Sequence, residues 1–168
     1  MPKLIENPKE KILVAAKKQL EEVGYSAMTI QSVARACGVG VGTVYNYFSS
    51  KDEILASYIA QDWTECVKVI NAVSRYSQTY DAVLHCIYDQ VLSFGKAHES
   101  VFQDEGASSS IDGVMYRHMG FLSRQVAVSL KKFCKSEEEA QIIAEALLTW
   151  IRTGKSFEEI YEKIVKLF

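Results

Sequence analysis

The chain has 168 residues, 48% of them hydrophobic and 24% charged, with a formal net charge of −2. That length can bury about 70% of the unfolded chain's surface, while no apolar run approaches the roughly 18 residues of a membrane span and the opening MPKLIENPKEK holds no apolar signal core. A cytoplasmic protein with no membrane partner is expected.

Only two prolines occur, Pro2 and Pro8, so nothing after Lys9 removes a backbone donor, and the chain reads as nearly all helix. A first helix opens with Asn7 as N-cap, Pro8 at its first position and Glu10 reaching back, and it closes at Gly24. Its inward face is Ile12, Leu13, Ala16, Leu20 and Val23. A second helix starts at Thr29, whose hydroxyl can accept from an orphan N–H. Ile30, Val33, Ala34 and Cys37 form its apolar stripe. Gly38 ends it in the left-handed conformation and Val39 returns the turn to the core. A third helix, Val41 to Tyr47, buries Val44 and Phe48 and leaves Gly42, Thr43, Tyr45 and Tyr47 outward. Two short helices around a glycine turn, with small and hydroxyl-bearing residues exposed, read as a helix-turn-helix.

Ser50-Lys51-Asp52-Glu53 is a capping box opening a fourth helix of about 25 residues, roughly 37 Å at 1.5 Å per residue. A break at 76–80 precedes a fifth helix near 81–96, with Val83, Leu84, Ile87, Val91 and Phe94 apolar. A short sixth covers 99–104. Gly106 to Ser110 reads as a mobile loop, followed by a seventh helix from Asp112 to about Lys135. Ser136-x-x-Glu139 and Ser156-x-x-Glu159 open an eighth and a ninth. Ile143, Ala146, Leu147, Trp150 and Ile151 stripe the eighth; Phe157, Ile160, Tyr161, Ile164 and Phe168 stripe the ninth. Two terminal helices this apolar suggest a dimer interface, with Ile143, Leu147, Trp150, Ile160 and Ile164 in it.

The charge is uneven. Residues 1–51 hold seven Lys and Arg against four Glu, and residues 52–168 twelve against seventeen acids. A basic head on an acidic body points to nucleic acid as the head's partner. Cys37, Cys66, Cys86 and Cys134 form no C-x-x-C, so reduced, buried cysteines are expected rather than a metal or redox site. No cofactor is called for. G-x-S-x-G, G-x-x-x-x-G-K-[ST] and H-E-x-x-H are absent, and adjacent His85 and Cys86 diverge on a helix, so no catalytic residue is assigned.

The arrangement Thr29, Val33-Ala34, Gly38-Val39, Gly42-Thr43-Val44-Tyr45, Tyr47-Phe48 and Ser50-Lys51-Asp52-Glu53-Ile54-Leu55 resembles the N-terminal domain of the tetracycline-repressor (TetR) family, densely so from about Lys9 to Leu55. The resemblance implies an all-α homodimer of about nine helices. Residues 1–50 would form the helix-turn-helix domain and 51–168 a helical ligand-binding and dimerisation domain. Its expected function is transcription regulation as a repressor that a small-molecule effector releases from double-stranded operator DNA. The alternative is a helical protein-interaction module without effector response. The family's DNA-binding positions fall on Thr29, Val41, Gly42, Thr43, Tyr45, Tyr47 and Lys51. Hydroxyl and lysine contacts would go mostly to phosphates. Relatives often carry Ser or Thr at position 40 and a charged residue or proline at 41. Gly40 and Val41 stand here, so direct base readout is sparse, with Gln31, Arg35 and Asn46 available to supply some. In the body, Trp63, Tyr88, Phe94, Phe102, Tyr116, Met119 and Phe121 are the expected lining of an effector pocket, or else ordinary core. His85, His98 and His118 would add polar groups.

Overall fold

The computed structural model describes residues 7–167, apart from the side chains of 106, 108–119 and 167. Among them, every regular element is helical: α1 Pro8–Ala27, α2 Ile30–Cys37, α3 Val41–Tyr45, α4 Lys51–Tyr76, α5 Tyr80–Ala97, α6 Glu99–Phe102, α7 Glu105–Leu130, α8 Glu137–Arg152 and α9 Phe157–Leu167. A 3-10 turn, Lys131–Phe133, follows α7. No helix among the described residues is long and apolar enough to cross a membrane.

The chain divides into two compact units. The first runs to Gln61 and takes in His98–Val114; the second comprises Asp62–Ala97 and the chain from Met115. The first therefore contains the start of α4, α6 and the start of α7 as well as α1–α3. Its core gathers Ile12, Leu20, Met28, Val33, Val44, Phe48, Ile54 and Leu55, all nearly solvent-free. Each large side chain so buried contributes about 1.5–3 kcal/mol. In the second unit α5, α8 and α9 pack on one another around Leu84, Ile87, Ile143, Leu147, Ile160 and Ile164.

Several helix ends differ from the expectation. Asn7 sits at φ 49°, ψ 59° and makes no side-chain cap, leaving Pro8 to start α1 by its fixed backbone. Val23 is 55% exposed rather than inward, because Gly24 at φ 77°, ψ 169° breaks the helical path beside it. Gly106 to Ser110 is no loop. Glycine and serine there are only weak helix breakers, costing at most about 1 kcal/mol each, and Asp104 supplies a cap by accepting from the Ala107 N–H at 3.2 Å. Of the three Ser-x-x-Glu boxes expected, the one at Ser156 and Glu159 is reciprocal: Ser156 Oγ accepts from the Glu159 N–H at 3.3 Å and Glu159 Oε2 from the Ser156 N–H at 2.9 Å. Glu53 and Glu139 reach one residue further back, to the N–H groups of Ser49 and Lys135. All four cysteines are half-buried rather than interior, and burial still pushes the thiols of Cys66, Cys86 and Cys134 upward.

Candidate nucleic-acid interface

Helices of eight and five residues cannot persist by propensity alone, so the helix-turn-helix depends on how its ends are held. At the start of α2, Thr29 Oγ1 accepts from the Ser32 N–H and Ser32 Oγ accepts from the Thr29 N–H, both at 3.0 Å. Ser32 also donates to Gln19 Oε1 at 2.6 Å, tying the cap to α1. At its end Gly38 adopts φ 70°, ψ 28°. The Val39 N–H then reaches Ala34 O at 3.0 Å and the Gly38 N–H reaches Arg35 O at 3.3 Å. That pair is a Schellman closure, which needs the left-handed glycine. α3 follows at once, shorter than expected because Asn46 and Tyr47 form a turn. Val44 and Phe48 anchor it inward.

What remains outside is the expected set. Gly42, Tyr45 and Tyr47 are exposed and Thr43 and Val41 half-exposed; the two tyrosines stand 52% and 41% accessible. Gly42 has nothing within 4 Å of where a Cβ would stand. Thr29, Gln31, Arg35 and Asn46 are exposed as well. The surface thus offers hydroxyl and amide groups, one guanidinium and a glycine open to close approach.

Lys51 is placed differently from a freely extended cation. Its Nζ donates to Tyr25 O at 3.2 Å and lies 4.1 Å above the centre of the Tyr25 ring. The Tyr25 hydroxyl in turn donates to Asp52 Oδ1. The next residue, Ser26, is gripped by an aspartate far along the chain: its N–H donates to Asp104 Oδ2 at 3.0 Å and its hydroxyl to Asp104 Oδ1 at 2.7 Å. Asp104 therefore caps α7 and holds the turn that leads into α2. Glu53 takes both the N–H and the hydroxyl of Ser49, at 2.6 and 2.7 Å, and the backbone bond foremost holds its carboxyl below the usual range. Tyr25, Ser26, Ser32 and Asp104 were missed by sequence reasoning. Ser32 had a local signal in its spacing from Thr29; the others pair across 26 to 78 positions, where no pattern points.

Among the described residues expected to line a pocket, Trp63 and Phe94 come together. They meet edge to face at 5.2 Å, both buried, and the Trp63 indole donates to Gln125 Oε1 at 2.8 Å. Tyr88 instead packs edge-on against Phe157 and donates to Lys155 O at 3.3 Å. Phe102 belongs to the first unit, beside His98. Phe121 is 50% exposed. Tyr116, Met119 and His118 lie outside the described residues, as does Phe168. The residues expected at a dimer interface are mostly covered already within one chain. Ile143, Leu147, Ile160 and Ile164 are at most 1% exposed in the single chain. They join α8 and α9 to the core of the second unit. Of the five only Trp150 is half-exposed. Exposed apolar side chains are Ile142 on α8, Val165 on α9, and Phe121 and Val128 on α7.

Residues 12–58 match the family profile described as bacterial regulatory proteins, tetR family. The HTH-type transcriptional regulator HbdR of Aromatoleum is 44% identical over 54 residues, 32% of this chain and 24% of that protein. The HTH-type regulator YhgD of Bacillus subtilis is 29% identical over 99 residues, 57% of this chain and 52% of its own length. The matches thus span a quarter to a half of these curated relatives. Among solved structures, a TetR-family transcriptional regulator from Streptomyces coelicolor superposes with a TM-score of 0.59 at 18% identity, covering 94% of this chain and 93% of that one. The TetR family repressor AlkX from Dietzia superposes with 0.65 at 18% identity, covering 95% and 99%. At such identities the structures speak for the fold, and the motif segment speaks for descent. The helix-turn-helix geometry and the profile agree over the same stretch: residues 12–58 match the tetR family of bacterial regulatory proteins, and the chain as a whole has the all-helical fold of the solved structures.

Proposed function

We propose that the protein is a DNA-binding transcription regulator, acting as a homodimeric repressor that a small-molecule effector releases from its operator. The observation that carries the DNA-binding part is the exposed face of α3. A capped and glycine-closed frame holds Val44 and Phe48 inside, and thereby presents Gly42, Thr43, Tyr45 and Tyr47 outward. Hydroxyls and a close-approaching glycine suit phosphate contacts that fix register; Val41, Gln31 and Arg35 are the side chains available for base edges. A mobility-shift assay of the full chain on genomic fragments tests this. Discrete complexes weakened steeply by salt are expected, and no complex at low salt would refute it.

The dimer part is supported by the two half-sites that a helix-turn-helix usually reads and by the apolar side chains left outside in the second unit. We place the contact on exposed Ile142, Val165, Phe121 and Val128 with half-exposed Trp150, in place of the buried stripe. Sedimentation should give a dimer at micromolar concentration, and Ile142→Glu should shift it toward monomer without unfolding it. The effector part rests on family resemblance and on the buried Trp63–Phe94 pair, whose indole N–H is held by Gln125. By linkage, an effector that lowers DNA affinity tenfold binds the DNA-bound form tenfold more weakly. A ligand screen by thermal shift, followed by DNA competition with each hit, checks it.

A further inference from the structure

We infer that Tyr25 is a positioning residue for DNA binding, which holds the Lys51 ammonium at the start of α4 before any phosphate arrives. The inference rests on the DNA-binding reading above and adds to it a role for a residue with no place in the exposed face. Tyr25 is almost wholly buried, at 2% exposure, so its ring is a fixed plate rather than a mobile side chain. It meets the first turn of α4 at three points: its carbonyl accepts from Lys51 Nζ at 3.2 Å, its ring lies 4.1 Å beneath that nitrogen, and its hydroxyl donates to Asp52.

These interactions do separate things. The carbonyl and the ring face both attract an ammonium and fix its position. An ammonium has three donors, so the one spent on the carbonyl leaves others for a phosphate oxygen. The hydroxyl donates to the neighbouring Asp52 carboxylate and ties the far edge of the ring to α4, a bond that the Lys51 position does not depend on. A lysine gives up much of its rotamer freedom when fixed; here that ordering takes place on folding, so less is lost when DNA binds. The Gly24 backbone makes the geometry possible. Its φ of 77° turns the chain out of α1 so that the Tyr25 side chain enters the core, and the Asp104 bonds to Ser26 keep the turn in place.

The test has an arm without DNA and an arm with it. In protein carrying isotope-labelled lysine, the Lys51 Hε signals, assigned by their loss in Lys51→Arg, should lie upfield of the other lysines because of the ring beneath them. They should stay upfield in Tyr25→Phe and return to the ordinary position in Tyr25→Leu. On a genomic fragment recovered by mobility shift, Tyr25→Leu should lower affinity by about the same factor as Lys51→Ala. It should also reduce the salt slope by about 0.9 for each phosphate that is no longer neutralised, and have no further effect in a Lys51→Ala background. Tyr25→Phe should keep the wild-type slope. Lys51 signals at the ordinary position in the wild type would overturn the inference whether or not DNA is bound. So would disappearance of the upfield shift in Tyr25→Phe, or a folded Tyr25→Leu protein that loses affinity equally with and without Lys51. Failure of every fragment to shift would count against the DNA-binding reading alone.

Discussion

The unit that carries α1–α3 and the unit built on α5, α8 and α9 are stabilised in different ways. In the first, short helices are fixed by specific polar bonds: Thr29 with Ser32, Gly38 with Arg35, Tyr25 with Lys51 and Asp52, and Ser26 with Asp104. In the second, longer helices are fixed by apolar stripes, and polar bonds such as Trp63 to Gln125, Ser129 to Asn71 and Gln141 to Ser123 join one long helix to another rather than capping it. The difference has a functional sense. A surface that must match a duplex needs side chains held at defined positions, which capping and hydrogen bonding provide. A body whose expected tasks are pairing and ligand response needs area and volume.

The largest expected effects lie where the two modes converge on burial. Phe48→Ala in the first unit and Leu147→Ala in the second should each cost about 3–5 kcal/mol, read by urea unfolding. Should the units unfold independently, two transitions would appear, with only one of them moved by each variant.

Polar bonds give the next tier. Asp104→Ala removes the α7 cap and both bonds to Ser26, and should cost about 1–2 kcal/mol. Hydrogen exchange should rise at Ser26 and Ala107, while the amides of α8 and α9 stay as they were. Faster exchange throughout the second unit would contradict the division drawn between them.

Two glycines sharpen the contrast between frame and surface. Gly38→Ala should cost about 1–2 kcal/mol from its positive φ alone, since its surroundings are open. Gly42→Ala has open space and ordinary backbone, so it should add up to about 1 kcal/mol of stability while weakening DNA binding. Equal affinity in Gly42→Ala would remove the close-approach role of that position.

The smallest effect concerns pH. The Glu53 carboxyl is held below its ordinary range by the Ser49 bonds. Its contribution is therefore present above the unfolded-state value and is lost as pH falls through the lower folded value. Glu53→Gln should flatten the acid limb of the first unit's stability slightly. The group is fully exposed, so a steep change would point to another carboxylate.

The same contrast explains what the sequence disclosed. Caps and glycine turns are local, so Thr29, Gly38 and the Val44–Phe48 anchor could be placed from spacing, and with them the nine helices of the described residues. The Tyr25 and Asp104 bonds join positions far apart and leave no periodic trace. In the second unit the apolar stripes were legible but their partner was not: Ile143, Leu147, Ile160 and Ile164 would show the same spacing against a second subunit as against their own core. Gly106 to Ser110 misled because composition favours a loop, whereas one capping aspartate and the absence of proline suffice for helix.

DNA binding by the exposed side of α3 can be tested on its two tyrosines. The most direct measurement is the affinity of a Tyr45→Ala/Tyr47→Ala double variant for a fragment shifted by the wild-type chain, with thermal unfolding followed in parallel. Both rings are largely exposed, so stability should change by less than about 0.5 kcal/mol per residue while the DNA complex is lost. An unchanged complex in a stably folded double variant would rule out this side of α3 as the DNA-binding surface.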